Sequence, residues 1–437
     1  MALVIIFNTL SNSGLLDDHV IIDSNDKSFE KYDIDQQNSN TASQRVEIPA
    51  INDGENDDRP EVVRTITPAP LPAKVEPGKE KLIYFASNFF GGPFHFDELP
   101  KQCKTTYDPK DLQKADAVVV HALGGSPMPE MHSEEGRRKL GVPQDQVWVG
   151  MMYESAGIYS HLPGVYNYTM TFRTDSDIYS PYCGRFDLAS KGSAIADKEP
   201  KLETFRKKRK KMVAWMVSNC HAANFRMDYA TELSKHISVD IYGACSPNGL
   251  RCTRFGSGGA DRACWEMVAE NYKFYLAFES SHCKDYITEK FFTPMYYGVV
   301  PIVYGGSSVH DYEMMAPKNS FIDTRNYKTP KGNFFSFNFL FNFQVSFFLL
   351  DLADYLKKLD KSEEEYEAFF KWRTRYMVHY NRTFVGQDIL CAKLWNLDKY
   401  RNSYSEKELN TWWVDGAKCV PPPYKPSEKV MVVHAHT

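Results

Sequence analysis

Short apolar runs alternate with longer amphipathic stretches in the second half of the chain. Strands are predicted at Met212–Val217, Val239–Gly243, Lys273–Phe278 and Val299–Tyr304, and helices at Asn224–His236 and Tyr286–Tyr297. Strands that alternate with helices of about a dozen residues are typical of βαβ units and a parallel sheet.

The first half carries apolar runs of the same kind. Lys81–Ala86, Ala115–His121 and Gln146–Met152 are nearly continuous in apolar residues, which is typical of buried parallel strands. The pattern therefore predicts an α/β protein with two halves joined near residue 205. Ligands of such sheets bind beyond the carboxyl ends of the strands.

The segment Gly332–Leu350 has a different period. Phenylalanine alternates there with Ser, Asn, Gln and Leu, which predicts a strand with one aromatic face. Two explanations stay open: a translated intron that divides one loop-helix unit, or a genuine extra β-hairpin. Sequencing of the spliced transcript distinguishes them.

The N-terminal region is polar and acidic. Between Leu15 and Glu61 there are 13 acidic and 4 basic residues, so this stretch carries −9 and the remainder +5 of the net −4. Residues 1–75 are predicted to be a disordered stem, followed by one α/β domain over 76–205, a second α/β domain over 206–395, and a tail over 396–437. The near-neutral net charge gives no reason to expect a nucleic-acid partner.

Cysteines and sequons favour an oxidising compartment. None of the nine cysteines forms a CxxC pair, and four lie between Cys245 and Cys283, which suggests local disulfides, with buried free thiols as the alternative. Asn167 and Asn381 begin glycosylation sequons. The run Ala2–Phe7 is too short to span a membrane, so we expect either a protein outside the lumen or a chain that lacks its natural N-terminus.

The residues 272–290 hold the densest candidate chemistry. An apolar strand leads into a polar loop, and the next helix has Glu289 and Lys290 in its first turns. A helix N-terminus binds anions, and a lysine there adds a positive charge for a phosphate. Arg226, in a helix after another strand, offers a second cation for a diphosphate leaving group. The alternative is that these are ordinary solvated helix residues.

The stretch 272–305 resembles the signature of the α1,3-fucosyltransferases that use GDP-fucose. The same family pattern continues in Tyr153–Ser155, Phe172–Tyr179, Val217–Asn219, Lys318–Asp323 and Asp351–Leu356. The resemblance covers roughly residues 80 to 395, apart from the Phe-rich segment.

This resemblance implies a GT-B type fold of two Rossmann-like domains with a cleft between them. The domain over 76–205 would lie on the acceptor side, and the domain over 206–395 would bind GDP-fucose. It also implies an inverting transferase of the Golgi lumen, anchored as a type II membrane protein, that moves fucose from GDP-fucose to the 3-hydroxyl of a GlcNAc on a glycoprotein glycan. Glu154 would be the general base. The residues that would line the donor site are Ser218, Asn219, Arg226, Tyr275, Ser280, Tyr286, Glu289 and Lys290.

No cofactor or metal is obligatory in this mechanism. Asp175-Ser-Asp177 matches the DxD pattern of metal-dependent transferases, but it lies in the first half, and we interpret it as structural. Stimulation by manganese stays open.

Ser280 departs from the family pattern, which usually has Asn at this position. A serine retains one hydrogen-bonding group on a shorter side chain, which weakens the expected donor contact. Ser280, the Phe-rich segment and the lack of a visible anchor leave one alternative open, an inactive homologue that binds a glycan or nucleotide. The other alternative is an unrelated nucleotide-sugar enzyme that happens to share the motifs.

Overall fold

The computed structural model describes residues 71–72, 75–76, 78–87, 99–122, 129–182, 184–188, 209–252, 259–327, 352–380, 386–397 and 402–423. Residues 1–70 of the predicted stem, the Phe-rich segment Gly332–Leu350, Cys183 and the sequon residue Asn381 lie outside these ranges.

The first half is built on a parallel sheet. Within the described ranges, its strands are β1 Lys81–Phe85, β2 Cys103–Thr106, β3 Ala117–His121, β4 Val147–Met152, β5 Tyr168–Thr171 and β6 Ile178–Tyr179. They are ordered β2-β1-β3-β4-β5-β6, and helix α1 covers Glu134–Lys139. Every residue of β4 is buried, because a central parallel strand is covered on both faces.

The second half repeats this plan. Its described strands are β8 Lys211–Met216, β9 Val239–Tyr242, β10 Tyr272–Phe278, β11 Val300–Tyr304 and β12 Ile322–Asp323, in the order β12-β11-β10-β8-β9 with all pairs parallel. Its helices are α2 Arg226–Leu233, α3 Gly259–Asn271, α4 Glu289–Tyr296, α5 Val309–Glu313, α6 over 352–361 and α7 Glu363–Glu367. Short 3₁₀ helices span Pro109–Asp111, Pro129–His132, Thr324–Tyr327 and Ala368–Thr374.

The strand order fixes where a ligand is expected. In the second sheet β8 has β9 on one side and β10 on the other, so the direction of winding reverses between β8 and β10. Ligands of doubly wound sheets bind outside the carboxyl ends of the strands at such a reversal. The segments that follow β8 and β10 at this reversal contain most of the residues that the sequence analysis predicts to line the donor site.

The predicted α/β class with two Rossmann-like sheets is confirmed. Each predicted strand that lies within the described residues coincides with an observed strand to within two residues at either end. The helix predicted from Tyr286 begins later, at Glu289, because the Thr288 hydroxyl caps it by accepting from the Lys290 backbone N–H. The pattern missed the short strands β2, β5, β6 and β12, which have too few residues for a clear period.

The two halves exchange segments. Strand β7 (Gly184–Leu188), from the end of the first half, pairs antiparallel with β13 (Tyr376–Tyr380), and its Phe186 belongs to the second core. Helices α8 (Gln387–Leu394) and α9 (Glu406–Gly416) return to the first core, where Trp413 is completely buried. Part of the predicted tail therefore folds against the first sheet.

Among the described cysteines, the disulfides are Cys103–Cys391, Cys220–Cys245, Cys252–Cys264 and Cys283–Cys419. The expectation of local pairing among Cys245, Cys252, Cys264 and Cys283 is confirmed for Cys252–Cys264, which are 12 residues apart. Cys245 pairs instead with Cys220, 25 residues before it and outside that group. The expectation is wrong for Cys283, whose partner is 136 residues away. The reason is that the chain after α9 comes back to the loop that follows β10.

Across the described part of the chain, no helix is both long enough and apolar enough to cross a membrane.

Candidate functional site

Glu154 lies where strand β4 ends and faces the second half of the chain. Its side chain is half-buried, and its Oε2 accepts a hydrogen bond of 2.9 Å from the Tyr286 hydroxyl. The two residues are 132 positions apart in sequence. The fold therefore brings the predicted base into direct contact with a residue predicted to line the donor site.

The loop that carries Tyr286 is fastened to the first half at several points. We call residues 280–288 the signature loop. Ser281 bonds the Ser155 hydroxyl at 2.5 Å, and the Asp285 carboxylate accepts from the backbone N–H and hydroxyl of Thr174 at 2.9 and 2.8 Å. Gly157 permits this approach, because a Cβ there would come within 2.9 Å of the Cys283 sulfur.

Tyr286 is buried in the first core rather than the second. Only 2% of the residue is exposed, and its ring packs edge-on against Phe172 and Tyr182, with centroid distances of 5.2 and 6.4 Å. Burial raises the pKa of Tyr286 well above its usual value, and the nearby carboxylates of Glu154 and Glu279 add to this effect. The hydroxyl therefore stays protonated and acts as the donor to Glu154.

Lys290 is held at the start of helix α4. Its ammonium lies 2.8 Å from the Thr288 hydroxyl, 3.2 Å from Glu279 Oε2 and 3.3 Å from Glu289 Oε1. Burial opposes the charged form, but the two carboxylates outweigh it and raise the pKa of Lys290. A quarter of the side chain is exposed, so a positive charge is available at the end of β10, where the sheet reverses.

Glu279 is a site residue that the sequence reasoning missed. It is completely buried, and its carboxylate accepts hydrogen bonds from the backbone N–H and hydroxyl of Thr288. Burial raises the pKa of Glu279, while Lys290 and the Thr288 bonds work against this rise. Gly305 leaves room for it, since a Cβ there would lie 2.7 Å from Glu279 Cγ. Its position at the carboxyl end of β10 was the available signal.

Arg226 joins the two strands that flank the reversal of the sheet. Its Nη1 donates to the Phe278 carbonyl at 2.9 Å, beyond which β10 ends, and its Nη2 donates to the Asn219 carbonyl at 3.0 Å, just after β8. Burial lowers the pKa of Arg226, although Glu279 and other nearby groups counteract this. Its guanidinium therefore supplies a fixed charge and a bridge between the two strand ends.

Replacing Arg226 by Lys is expected to reduce the free energy of unfolding by about 1–3 kcal/mol, because an ammonium cannot bond both carbonyls and leaves one buried acceptor unpaired. Urea denaturation measures the change. Arg262→Lys is the matched control, since Arg262 is exposed on α3, where it forms an ion pair with Glu266. Equal stability of the two variants would contradict the bridging role.

The remaining predicted donor residues differ in exposure. Ser218 and Asn219 are exposed after β8, where the Asn219 side chain accepts from the His221 backbone N–H. Ser280 is half-buried, with its hydroxyl 3.4 Å from that of Tyr286. Tyr275 is instead a core residue, 3% exposed, whose ring packs against Trp265 at 4.8 Å. Its hydroxyl points toward the carbonyl of Met216, the last residue of β8, at 3.5 Å.

The two carboxylates of the DxD pattern have different partners. Asp175 receives two hydrogen bonds from Arg173, and Asp177 receives bonds from Thr169, Asn402 and Tyr404. Arg173 also donates to the Trp412 carbonyl, so the segment ties helix α9 to the first sheet. No group of three or more His, Cys, Asp or Glu side chains within the described ranges is arranged to hold a metal ion.

Asn167, the predicted glycosylation site within the described residues, uses both ends of its amide in the fold. Its Oδ1 accepts from the Trp148 backbone N–H at 2.8 Å, and its Nδ2 donates to the Asn402 carbonyl at 2.9 Å. A glycan on Nδ2 would have to displace the second bond.

Two family models match the chain. The model for the N-terminal part of fucosyltransferases matches residues 78–183, and the model for the C-terminal part of glycosyltransferase family 10 (fucosyltransferase) matches residues 206–340 and 343–412. A bovine 3-galactosyl-N-acetylglucosaminide 4-alpha-L-fucosyltransferase is 31% identical over 315 residues, covering 71% of this chain and 74% of the relative.

The chain belongs to glycosyltransferase family 10, the fucosyltransferases.

Another relative within this family is more similar but much longer. A glycoprotein 3-alpha-L-fucosyltransferase A of Drosophila melanogaster is 38% identical over 259 residues, which are 59% of this chain and 45% of the relative. The chain thus matches less than half the length of that protein. A crystal structure of an alpha1,3-fucosyltransferase with GDP-fucose aligns with 76% of this chain and 96% of its own, with 14% identity and a TM-score of 0.43.

Proposed function

We propose that this family 10 chain transfers fucose from GDP-fucose to the 3-hydroxyl of a GlcNAc in a glycan acceptor, with inversion at the anomeric carbon. The contact between Glu154 and the signature loop carries the proposal, because it places one carboxylate beside the segment that also leads to Lys290. Inversion takes place in a single displacement step, which needs one general base to remove the proton of the acceptor hydroxyl. One carboxylate is sufficient for this role.

In this reaction the acceptor hydroxyl attacks the anomeric carbon from the face opposite the diphosphate. Glu154 takes the hydroxyl proton as the new C–O bond forms. The bond to the diphosphate breaks at the same time, and its electron pair leaves on the phosphate oxygen. The transition state resembles an oxocarbenium ion, with positive charge on the sugar and negative charge on the leaving group.

The proposed donor site surrounds the point where the second sheet reverses. Lys290 would stabilise the charge that develops on the diphosphate, with the positive N-terminus of α4 behind it. The fixed guanidinium of Arg226 would add to the same field from the other side of the reversal. Ser218, Asn219, Ser280 and Glu289, which are exposed or half-buried there, would contact the donor through hydrogen bonds.

The proposed compartment is the Golgi lumen. The four disulfides among the described cysteines are typical of proteins that fold in an oxidising environment, and they support this location. The proposed acceptor is a GlcNAc-containing glycan on a glycoprotein. The name of the bovine relative includes an N-acetylglucosaminide, and the name of the Drosophila relative includes a glycoprotein and the 3-alpha linkage. No metal or cofactor enters the proposed step.

Ser280 supports a second candidate, a homologue that binds GDP-fucose or a glycan without transferring fucose. Its hydroxyl lies 3.4 Å from that of Tyr286. The side chain is shorter than the Asn of the family pattern and offers GDP-fucose fewer hydrogen-bonding groups.

One assay separates the two candidates. The chain, with and without residues 332–350, is incubated with radiolabelled GDP-fucose and a panel of N-glycans that present core or antennal GlcNAc, and the products are identified by mass spectrometry. Fucose on the 3-hydroxyl of GlcNAc supports the enzyme. Donor binding without transfer by either form supports the binding protein.

A further inference from the structure

The loop that follows β8 carries two of the proposed donor contacts, Ser218 and Asn219. Both residues are exposed, and the Asn219 side chain turns back to accept from the His221 backbone N–H. Exposed polar side chains bury little apolar surface, so packing contributes little to the order of such a loop. Its arrangement therefore depends on its backbone bonds and its covalent links.

The segment that follows β9 is attached to this loop at both of the loop's ends. Before the two donor residues, the Val217 backbone N–H donates to the Tyr242 carbonyl at 2.9 Å, and the Val217 carbonyl accepts from the Cys245 backbone N–H at 3.3 Å. After them, Cys220 forms its disulfide with Cys245. The two donor residues thus lie between two attachments to the same short segment.

The segment after β9 is itself a closed turn. The Gly243 backbone N–H donates to the Leu250 carbonyl at 3.0 Å, and the Leu250 backbone N–H donates to the Ser246 hydroxyl at 2.9 Å. Gly243 has a φ of 100°, and a Cβ there would lie 2.5 Å from the Val217 carbonyl oxygen. Because glycine has no Cβ, the turn packs backbone against backbone on the donor loop.

The other side of the donor loop is held by helix α2. Nη2 of Arg226, the first residue of this helix, donates to the Asn219 carbonyl at 3.0 Å. The helix lies within the 25-residue stretch that the Cys220–Cys245 disulfide closes. The crosslink therefore ties the exits of β8 and β9 together around the helix that supplies one of the charges at the reversal of the sheet.

We propose that the Cys220–Cys245 disulfide is a positioning element of the donor site: it holds Ser218 and Asn219 in the arrangement that binds the GDP part of GDP-fucose. The inference rests on the proposed function for the identity of the donor. A loop that is already ordered loses less conformational entropy when its ligand binds, so the same contacts give a higher affinity.

The first test compares GDP binding by the full chain and by the double variant Cys220→Ala/Cys245→Ala, measured by calorimetry. The dissociation constant for GDP is expected to rise by roughly 5- to 30-fold, which corresponds to ordering the backbone of one further residue on binding. An unchanged dissociation constant would overturn the proposal.

Cys252→Ala/Cys264→Ala is the matched control. It removes a disulfide of the same half of the chain, which joins the segment before helix α3 to that helix and leaves the donor loop untouched. The dissociation constant for GDP should stay within about twofold of the wild-type value, as expected for independent sites. A rise as large as that in the first variant would mean that general loosening of this half weakens the binding.

The wild-type chain permits the same test without a substitution, and this test decides the matter even if the double variant fails to fold. If the disulfide raises the affinity for GDP, GDP must stabilise the disulfide by the same factor. The chain is equilibrated in a dithiothreitol redox buffer, and the free thiols are alkylated and located by mass spectrometry. Saturating GDP should shift the equilibrium of Cys220–Cys245 toward the oxidised form by roughly 5- to 30-fold and leave that of Cys252–Cys264 unchanged. No shift, or an equal shift of both disulfides, would overturn the proposal.

Kinetics separate this role from the proposed function. In Cys220→Ala/Cys245→Ala, the KM for GDP-fucose should rise by the same factor while kcat stays within about threefold of the wild-type value, because the saturated site is the same. A lower kcat at an unchanged KM would contradict the positioning role. If the wild-type chain binds GDP but transfers no fucose, the proposed function fails, and the binding measurements still decide the role of the disulfide. A wild-type chain that binds no GDP would overturn both.

Discussion

Glu154→Gln is expected to reduce fucose transfer by roughly 10²- to 10⁴-fold, the range that a single general base contributes. The amide has nearly the same shape as the carboxylate, but it cannot take the proton of the acceptor hydroxyl. It can still accept the hydrogen bond from Tyr286, so the contact between the halves should survive. Transfer is measured with GDP-fucose and the best acceptor from the panel.

Binding distinguishes loss of the base from loss of the site. GDP affinity, measured by calorimetry, should remain within about twofold of the wild-type value, because Glu154 contacts the acceptor side in the proposed mechanism. Glu135→Gln, an exposed substitution on helix α1, serves as the control and should leave transfer unchanged. Wild-type transfer by Glu154→Gln would remove the base assignment.

Lys290→Ala is expected to weaken both GDP binding and transfer, with kcat/KM lower by about 10²- to 10³-fold. The ammonium lies at the start of helix α4 with a quarter of its side chain exposed, and its loss removes the charge that would face the leaving group. Calorimetry with GDP and the transfer assay measure the two effects separately.

The same substitution also leaves Glu279 buried without its cation. We expect a loss of about 2 kcal/mol in the free energy of unfolding, since an unpaired buried carboxylate is costly. Lys290→Ala combined with Glu279→Gln should recover much of this stability, because the Thr288 donors still have an acceptor and the uncompensated charge is gone. The double variant should not recover GDP affinity. Recovery of both would mean that Lys290 acts through stability alone.

The local pattern of the sequence was sufficient for the elements and for the family. Continuous apolar runs such as Val147–Met152 predict buried parallel strands because both faces of such a strand must be covered. The position of Lys290 at a helix start followed from the polar loop before it, and the ordered motifs led to the family that the comparisons support. These features depend on neighbours within a few residues, which the sequence displays directly.

The pairings over long distances were decided only by the tertiary structure. The contact of Tyr286, one of the predicted donor residues, with Glu154 across 132 positions of sequence appears only in the folded chain. The sequence assigned Arg226 a role toward a diphosphate, and the fold adds that its guanidinium joins two strand ends. Glu279 is likewise recognised as part of the site only in the folded chain, where it contacts Lys290 and Thr288.

The end of the chain provides the clearest contrast. The sequence predicted a tail after residue 395, yet helix α9 buries Trp413 in the first core and brings Cys419 to Cys283. No local pattern encodes this return, because the free energy that favours it comes from apolar surface buried between segments more than 100 residues apart. The sequence thus determined the sheets, the family and the candidate charges, while the packing between distant segments decided which side chains meet at the base.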